Sequence, residues 1–264
     1  MNILVCIKQV PDTTEIRMDP KTNTLIRAGV PSTVNPFDKY ALEAAVQLRE
    51  TLGGTVTAMT MGPAQAAQAL RECYALGADR MVLVSDRRFG GADTYATSYT
   101  LAQAVRALGG FDLILCGRQA IDGDTAQVGP QIAEKLHLPQ ITYAAEITKN
   151  GDEVTVKRML EDGYMTIKVQ TPCLLTCIKE LNEPRYMSVG GVFEAYGKPL
   201  TTLGYEDLKD DPLIDATTIG LKGSPTNIFK SFTPPQKGAG MMLEGADKAT
   251  CEKLAGILAA KHII

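Results

Sequence analysis

The chain has 264 residues, of which 45% are hydrophobic and 22% charged, with a formal net charge of −3. This composition is typical of a globular protein with one large domain, and the absence of a long basic block argues against a nucleic-acid partner. No apolar run approaches the roughly 20 residues that span a bilayer, and the N-terminal MNILVCIKQV resembles a first strand more than a signal peptide. We therefore expect a cytoplasmic protein with no membrane insertion.

The six cysteines indicate buried packing, not a disulfide framework. They are scattered along the chain, mostly within apolar segments, where cysteine is usually a small buried residue. The one close pair, Cys173 and Cys177, lies inside an apolar run, and the chain has only two histidines. Such a pattern makes a poor zinc site. We expect no metal site there.

The first half of the chain alternates patterns typical of strands and helices. An apolar run at 2–7 predicts the first strand. Asn35 and Pro36 then provide an N-cap and a first-turn proline, and Gly53-Gly54 ends that helix. The same reasoning predicts a strand at 55–61, a helix at 64–76, a strand at 81–85, a helix at 94–108, a strand at 111–116 and a helix at 128–136.

Repeated strand–helix–strand units predict an α/β fold, a Rossmann-like, doubly wound and mainly parallel sheet with helices on both faces. The stretch KTNTLIR at 21–27 predicts a small hairpin before the first helix. After Pro139, three segments of alternating polarity are separated by Asn150-Gly151 and Asp162-Gly163, which are typical of hairpin turns. We expect an antiparallel meander at the edge of the sheet, followed by an apolar strand at 172–178.

The C-terminal part lacks the pattern of a self-contained domain. Hydrophobic periodicity fades beyond Lys198, and a last helical pattern follows in ADKATCEKLAGILAAKHII. One amphipathic helix after an extended arm cannot bury its own apolar face, so we expect it to pack on a partner subunit. The predicted division is a Rossmann-like nucleotide-binding domain at 1–190 and an extended arm with the C-terminal helix at 191–264.

The stretch CGRQAIDGDTAQVGPQIAEKLHLP at 116–139 is the strongest indication of a binding site. It follows a predicted strand and leads into a helix, and doubly wound sheets bind ligands at the carboxyl ends of their strands. Gly117, Gly123 and Gly129 permit a close backbone approach or a positive φ. The N–H groups of residues 125–128 favour an anion such as phosphate. Loops at 6–10, 61–63 and 86–94 are expected to converge on the same crevice.

The two aspartates of this loop leave several roles open. Asp122 and Asp124 could reach ribose hydroxyls, cap turns or face solvent, or bridge a Mg²⁺ ion to a nucleotide. RRFGGADT at 87–94 is a second glycine-rich loop before a helix. His137 is predicted to cap a helix C-terminus, and no nucleophilic triad is apparent. From the residues alone, the crevice is of the type that binds an adenine nucleotide.

The chain resembles the β (small) subunit of electron-transfer flavoproteins from end to end. The matching motifs are VCIKQVPD (5–12), VNPFDKYALEAAVQL (34–48), MGPAQAAQALRECYALGADR (61–80), GRQAIDGDTAQVGPQIAEKL (117–136) and VKRMLEDGYMTIKVQTPCLLTCIKELNEPRY (156–186). The last motif is highly specific to this family.

This resemblance implies an obligate heterodimer with an α subunit that carries an FAD of its own. It also implies that the β subunit binds a nucleotide cofactor in the crevice. The cofactor-binding residues that the resemblance implies are Cys6, Asn35, Pro36, Phe37, Asp38, Met61, Gly117, Arg118, Gln119, Ala120, Asp122, Gly123, Asp124, Thr125, Ala126, Gln127, Val128 and Gly129.

The loop sequence bears on which nucleotide is bound. Members that hold AMP and shuttle single electrons from acyl-CoA dehydrogenases have a loop resembling DDDCNQTG. This chain reads DGDTAQVGP and is similar to the electron-bifurcating branch, in which FAD occupies the β site. Gly123 and Ala126 remove bulk and a polar group, which suits a larger ligand. The resemblance thus implies a flavin-dependent, NADH-oxidising oxidoreductase component, active only as the heterodimer.

Further roles follow from the same resemblance. The β-site FAD would take hydride from NADH and divide the electrons between ferredoxin or flavodoxin and, through α-subunit FAD, an acyl-CoA dehydrogenase. Arg118 is the candidate catalytic residue, because a permanent cation beside the loop can stabilise negative charge on the reduced flavin. The candidate NADH-binding residues are Phe89, Gly90, Gly91, Ala92, Asp93 and Thr94. The candidate partner-recognition residues are Tyr186, Val189, Val192 and Phe193. The resemblance also implies FAD in the domain at 1–190 and a partner-recognition loop at the start of 191–264.

Two alternatives remain open at this point. One is the AMP-holding, non-bifurcating flavoprotein with one FAD per heterodimer. The other is an ATP-binding regulatory or hydrolase module of the same architecture, which would carry no flavin. The sequence also departs from many family members near residue 189, where they have leucine, and at 195–198, where they have basic residues. That departure leaves the identity of the partner dehydrogenase open.

Overall fold

The computed structural model describes residues 1–12, 31–212, 214–226, 228–229, 235 and 237–264. Met1–Asn227 forms one compact unit and Ile228–Ile264 a second. The hairpin predicted at 21–27 lies outside the described residues. Within the described part of the chain, no helix is long and apolar enough to cross a membrane.

A nine-stranded sheet forms the centre of the first unit, in the order β11-β5-β4-β1-β6-β10-β7-β8-β9. The pairs from β11 to β7 are parallel, and β8 and β9 add an antiparallel meander at one edge. The predicted fold class is therefore confirmed. The strands are β1 Asn2–Cys6, β4 Thr55–Met61, β5 Arg80–Val84, β6 Leu113–Gly117, β7 Gln140–Asn150, β8 Glu153–Met159, β9 Tyr164–Gln170, β10 Cys173–Cys177 and β11 Leu200–Leu203. Strands β2 Gln9–Pro11 and β3 Ser32–Val34 form a separate antiparallel pair.

Helices cover both faces of the sheet, as predicted. The first face packs against α1 and α2, the second against α3 and α4. The helices of this unit are α1 Pro36–Leu52, α2 Ala67–Ala75, α3 Thr94–Leu108, α4 Val128–Lys135, α5 Val189–Gly197 and α6 Tyr205–Leu208. Short 3₁₀ turns lie at Ala64–Ala66, Arg87–Phe89 and Lys179–Leu181.

Local chemistry explains several helix ends. Pro36 starts α1, and Gly53, with φ of +74°, follows its last residue. Asp93 caps α3 by accepting a hydrogen bond from the N–H of Ala96. After α4, His137 adopts φ of +54° while its N–H donates to the carbonyl of Glu134. This is the left-handed C-cap arrangement, and it agrees with the capping role predicted for His137.

Three elements after Cys177, α5, β11 and α6, were not predicted. Helix α5 lies where a loop was expected, because Ser188 caps it and Gly191 allows it to pack closely on α2: a Cβ atom at residue 191 would lie 3.0 Å from Cα of Ala75. Strand β11 pairs in parallel with β5. Helix α5 spans residue 190 and β11 follows it, so the first compact unit extends past the predicted domain boundary.

In the second unit, the predicted C-terminal helix is present as α7, Lys248–Ala260. The side chain of Asp247 caps it by accepting a hydrogen bond from the N–H of Thr250. None of its residues is buried within the chain. Leu254 is 47% exposed, so this apolar side chain of the helix is only partly covered.

Candidate functional site

The candidate site lies at the carboxyl ends of β1 and β6. These neighbouring strands pair in parallel, and the connections from them run to opposite faces, β1 leading to α1 and β6 to α4. Such a reversal of strand order opens a crevice between the two outgoing loops, which is where doubly wound sheets bind ligands. The predicted loop at 117–129 leaves β6 at this point.

Gly117, at the end of β6, is a position that only glycine fits. A Cβ atom here would overlap Oδ1 of Asp38 and lie 2.7 Å from the Asp38 nitrogen. The start of α1 therefore packs directly on the backbone of the β6 strand end. The close approach predicted for Gly117 is observed.

The side chains of Asn35 and Asp38 link the loops that follow β1 and β6. Asn35 is fully buried; its Nδ2 donates to Oδ1 of Asp38 at 2.9 Å and to the Gln119 carbonyl at 2.8 Å. Its Oδ1 accepts from the N–H of Ile121 at 3.2 Å. Oδ2 of Asp38 accepts from the N–H of Lys8 at 2.7 Å. Asn35 precedes α1 as predicted, but its side chain makes no capping hydrogen bond and braces the loop at 119–121.

Burial gives Asp38 unusual acid–base behaviour. Its pKa is raised from 3.8 to about 7, chiefly because burial disfavours the charged carboxylate. Hydrogen bonds from Asn35, Lys8 and Gly117, and the positive charge of Lys8, act in the opposite direction. The polar atoms of Asn35 and Asp38 bond to groups of the protein, and their contact with a cofactor stays a prediction.

The two aspartates of the loop are held by protein donors. Nζ of Lys8 lies 2.6 Å from Oδ1 of Asp122, and Nε2 of Gln119 donates to Oδ1 of Asp124 at 2.7 Å. Each carboxylate thus has a partner within the chain, which weakens the argument for a Mg²⁺ bridge. Among the described residues, no cluster of three or more potential metal ligands occurs.

The rest of the loop presents its backbone. The left-handed φ values fall on Asp124 (51°) and Ala126 (52°), and none of Gly117, Gly123 and Gly129 has one. Gly123 is exposed, and a Cβ atom there would meet nothing within 4 Å. Helix α4 starts at Val128, and the first N–H groups of a helix have no partner inside it. The loop and the first turn of α4 can therefore take an anion with peptide N–H groups.

Other predicted residues surround this loop. Gly129 packs against β6 and β10, where a Cβ atom would lie 3.2 Å from Cγ2 of Thr176. Cys6 and Met61 end β1 and β4. A hydrogen bond to Cys6, together with burial, raises the pKa of the Cys116 thiol well above its usual value, which favours the protonated thiol. Of the remaining predicted residues, Pro36, Thr125 and Gln127 are exposed, and Phe37, Ala120 and Val128 are half-buried.

Arg118 is exposed beside the crevice. Its N–H donates to the carbonyl of Cys177 at 2.9 Å, which fixes its backbone on the end of β10. The guanidinium carbon lies 5.2 Å from the ring centroid of Tyr143 and 6.0 Å from that of Phe37. A cation between two aromatic rings is oriented yet still open to a ligand.

The loop at 87–94 borders the same edge of the sheet, between β5 and α3. Phe89 is only 3% exposed, so its side chain belongs to the core, and the ligand contact predicted for it is limited to the backbone. Gly90, Gly91 and Asp93 pair with a later segment: the N–H of Leu221 donates to the Gly90 carbonyl at 3.0 Å. Asp93 caps α3, and Ala92 is half-buried.

Thr94 links this loop to the one after β6. Its Oγ1 lies 2.9 Å from Oε1 of Gln127, at the start of α4. Nε2 of Gln131 lies 3.5 Å from the same hydroxyl, and the buried Ser98 hydroxyl lies 3.1 Å from Oε1 of Gln131. Ser98 and Gln131 were not among the predicted site residues, and Lys8 was included only as part of the loop at 6–10, which directly follows β1.

The four predicted partner-recognition residues share an exposed surface around α5. Tyr186 is 97% exposed, Val189 76%, Val192 40% and Phe193 78%. The preceding segment is fixed to α1 by Arg185, whose Nε lies 2.8 Å from Oε2 of the buried Glu43. A rigidly attached apolar surface of this kind is typical of protein interaction sites.

Comparisons with known proteins agree with this architecture. The electron transfer flavoprotein domain model matches residues 22–204. The chain is similar over its full length, and that of each relative, to the acryloyl-CoA reductase electron transfer subunit gamma of Anaerotignum propionicum (59% identity over 268 residues) and the caffeyl-CoA reductase-Etf complex subunit CarD of Acetobacterium woodii (54% over 269). The electron transfer flavoprotein subunit beta of Clostridium acetobutylicum is 50% identical over 264 residues, again in full.

Proposed function

The chain belongs to the electron transfer flavoprotein family as a β subunit, and from this premise we propose that it binds FAD in the crevice between β1 and β6. Bound there, FAD would take hydride from NADH and release the electrons separately, one to ferredoxin or flavodoxin and one through α-subunit FAD to an acyl-CoA dehydrogenase. The protein acts only as a heterodimer with the α subunit. Two relatives carry the names of acryloyl-CoA and caffeyl-CoA reductase subunits, which supports a partner that acts on CoA esters.

The observation that carries this proposal is the open backbone surface of the loop after β6. Gly123 has no neighbour within 4 Å of a Cβ position, and Ala126 offers no polar side chain. The loop thus leaves space beyond its peptide groups, which suits a dinucleotide. The residues present fit the cofactor: N–H groups of the loop and of the first turn of α4 would bind its diphosphate.

Charged side chains complete the proposed site. The guanidinium of Arg118 would stabilise negative charge that hydride transfer adds to the site, because a preoriented cation loses little on reorganisation. Lys8 would keep the loop closed through its ion pair with Asp122. Met61 and Cys6 would supply apolar contacts at the strand ends.

NADH would approach along the loop at 87–94. Gly90 and Gly91 are exposed; the backbone of Gly90 already bonds Arg87 and Leu221, so Gly91 would offer the surface for a ligand. A hydrogen bond from Thr94 to Gln127 joins this loop to the start of α4. This link would hold NADH and the cofactor in a fixed relative position. The exposed surface around α5 would recognise the acyl-CoA dehydrogenase, and α7 the α subunit.

The test is a cofactor count on the heterodimer. The chain is co-expressed with its α subunit and purified aerobically, and FAD and AMP are quantified per αβ pair. We expect two FAD and no AMP, with NADH bleaching the absorbance of the β-site flavin. One FAD and one AMP, with no response to NADH, would contradict the proposal and support the single-electron shuttle. Absence of any flavin would favour an ATP-binding module, which family membership leaves without support.

A further inference from the structure

The carboxylate of Asp38 lies at the junction of the two loops that form the crevice. It is 6% exposed and accepts hydrogen bonds from the N–H of Lys8, which follows β1, and from the N–H of Gly117, which ends β6. Asn35 donates a third hydrogen bond at 2.9 Å and also holds the loop at 119–121. A change of charge at Asp38 therefore acts directly on the backbone of both loops.

Within the described ranges of the chain, Lys8 is the one cation that acts on the charge of Asp38, and its ammonium is shared with Asp122. The nearby thiols favour the neutral form, because burial raises the pKa of Cys73 and Cys177 and a hydrogen bond to Cys6, together with burial, raises that of Cys116. The titratable groups around Asp38 are Lys8 after β1, Asp122 after β6, Cys116 on β6, Cys177 on β10 and Cys73 on α2. No second cation among them compensates an added negative charge.

We propose that Asp38 is a positioning residue that takes up a proton from solvent when a nucleoside diphosphate binds in the crevice. This inference rests on the proposed function, because it requires a nucleotide at this site. A bound diphosphate brings negative charge and excludes water, and both effects favour a neutral carboxyl. The ionised carboxylate of the free protein becomes a carboxylic acid in the complex, and the proton stays on a carboxylate oxygen of Asp38.

The direction and the pH range of proton uptake follow from the pKa of Asp38 in the free protein, which burial raises to about 7. Below that pH the carboxyl already carries its proton, and binding takes up none. Above it, binding takes up to one proton, so the association constant falls by up to about tenfold per pH unit. The fall ends once the pH exceeds the pKa of Asp38 in the complex.

Calorimetry on the nucleotide-stripped αβ heterodimer tests this inference. FAD and ADP-ribose are the probes, because neither carries a terminal phosphate, a group that titrates with a pKa of about 6. Titrations in buffers of different ionisation enthalpy measure proton uptake between about pH 5.5 and 8.5, a range centred on the value for Asp38. We expect uptake to rise through pH 7 with both probes.

Variants of the heterodimer identify the residue that takes up the proton. Asp38→Asn should abolish uptake and flatten the pH dependence of affinity, whereas Asp112→Asn, the matched change at an exposed carboxylate before the amino end of β6, should keep both. If Asp38→Asn does not fold, infrared difference spectra of wild type and Asp112→Asn should show a protonated carboxyl appearing on binding. Binding without uptake, or uptake that persists in Asp38→Asn, would overturn the inference and leave the proposed function intact. Failure of FAD to bind would overturn both.

Discussion

Gly117 and Gly123 lie in one loop but differ in what a methyl group would meet. At residue 117 it would overlap Asp38, and at residue 123 it would meet nothing within 4 Å. We expect Gly117→Ala to lower the free energy of unfolding by about 2 kcal/mol through overpacking and to abolish nucleotide binding. Gly123→Ala, the matched control, should change it by less than about 0.5 kcal/mol. Denaturant unfolding measures both; equal effects would contradict this account of the loop.

The identity of the bound nucleotide should depend on residues 123 and 126. Gly123→Asp combined with Ala126→Asn restores side chains typical of members that hold AMP. Asparagine tolerates the left-handed φ of 52° at residue 126 better than alanine does, so the loop should keep its conformation. We expect the variant heterodimer to contain one FAD and one AMP. Retention of two FAD would show that these positions do not select the ligand.

The role of Arg118 can be separated from simple cofactor binding. Arg118→Ala should lower kcat/KM for NADH by at least about tenfold, the effect of losing one preorganised charge, while the FAD content stays unchanged. Arg118→Lys keeps the charge but loses the planar stacking on Tyr143, and should fall in between. Stopped-flow reduction by NADH measures the rate. Unchanged kinetics in Arg118→Ala would remove this residue from the mechanism.

At the scale of elements, the segment before α5 is fixed by one arginine. Arg185 bonds Glu43 and Glu50 of α1. Burial opposes ionisation of Glu43, but hydrogen bonds from Arg185 outweigh it and lower the pKa of that carboxyl. The pair therefore fixes the position of the exposed surface around α5.

Loss of this arginine should loosen the surface. Arg185→Ala leaves the buried Glu43 with neutral donors only, Gln47 and the N–H of residue 185. Loss of the guanidinium should cost about 3 kcal/mol of unfolding free energy and weaken dehydrogenase binding. The control is Lys209→Ala, which removes a surface ion pair with Glu206 and should change stability by less than about 0.5 kcal/mol. Thermal unfolding and a binding titration read out the two effects. A stable Arg185→Ala variant would indicate that Glu43 finds another donor.

Helices and strands in the first half were predicted well because their periodicity reflects burial on one face or two. The helix α3 and the strand β4 have the predicted bounds. Helix α5 was missed because Gly190 and Gly191 favour a loop, and only the close packing of Gly191 on Ala75 explains a helix there. Strand β11 is four residues long and half exposed, so no periodicity identifies it.

For the whole molecule, the buried Asp38 predicts an unusual dependence of stability on pH. Its pKa is raised from 3.8 to about 7, so its contribution to stability is fully present below about pH 4 and is lost as the pH rises through 7. At about 1.4 kcal/mol for each pH unit between the two values, the loss approaches about 4 kcal/mol. Urea unfolding of the nucleotide-free chain from about pH 4 to 8 measures it.

Asp38→Asn provides the comparison for that measurement. Carboxylates with lowered pKa, such as Asp86 and Asp93, stabilise the fold above pH 4 and lose this effect on acidification, and they are present in both proteins. The stability difference between wild type and Asp38→Asn should therefore fall across this range. A difference that does not vary with pH would mean that Asp38 does not titrate there.

Sequence alone determined the fold class, most elements and the location of the crevice. These follow from local patterns: the spacing of apolar residues, proline and glycine at helix ends, and the placement of DGDTAQVGP after a strand. Its motifs also indicated the family, which the comparisons then showed. Each of these patterns lies within a short stretch of the sequence.

Only the tertiary structure decided what the polar residues of the crevice do. Asn35 and Asp38 are buried and brace two loops, Asp122 pairs with Lys8 across 114 positions of sequence, and Phe89 lies in the core. The physical reason is that burial and long-range hydrogen bonds arise when distant segments pack. A residue's local sequence does not record which atoms will surround it.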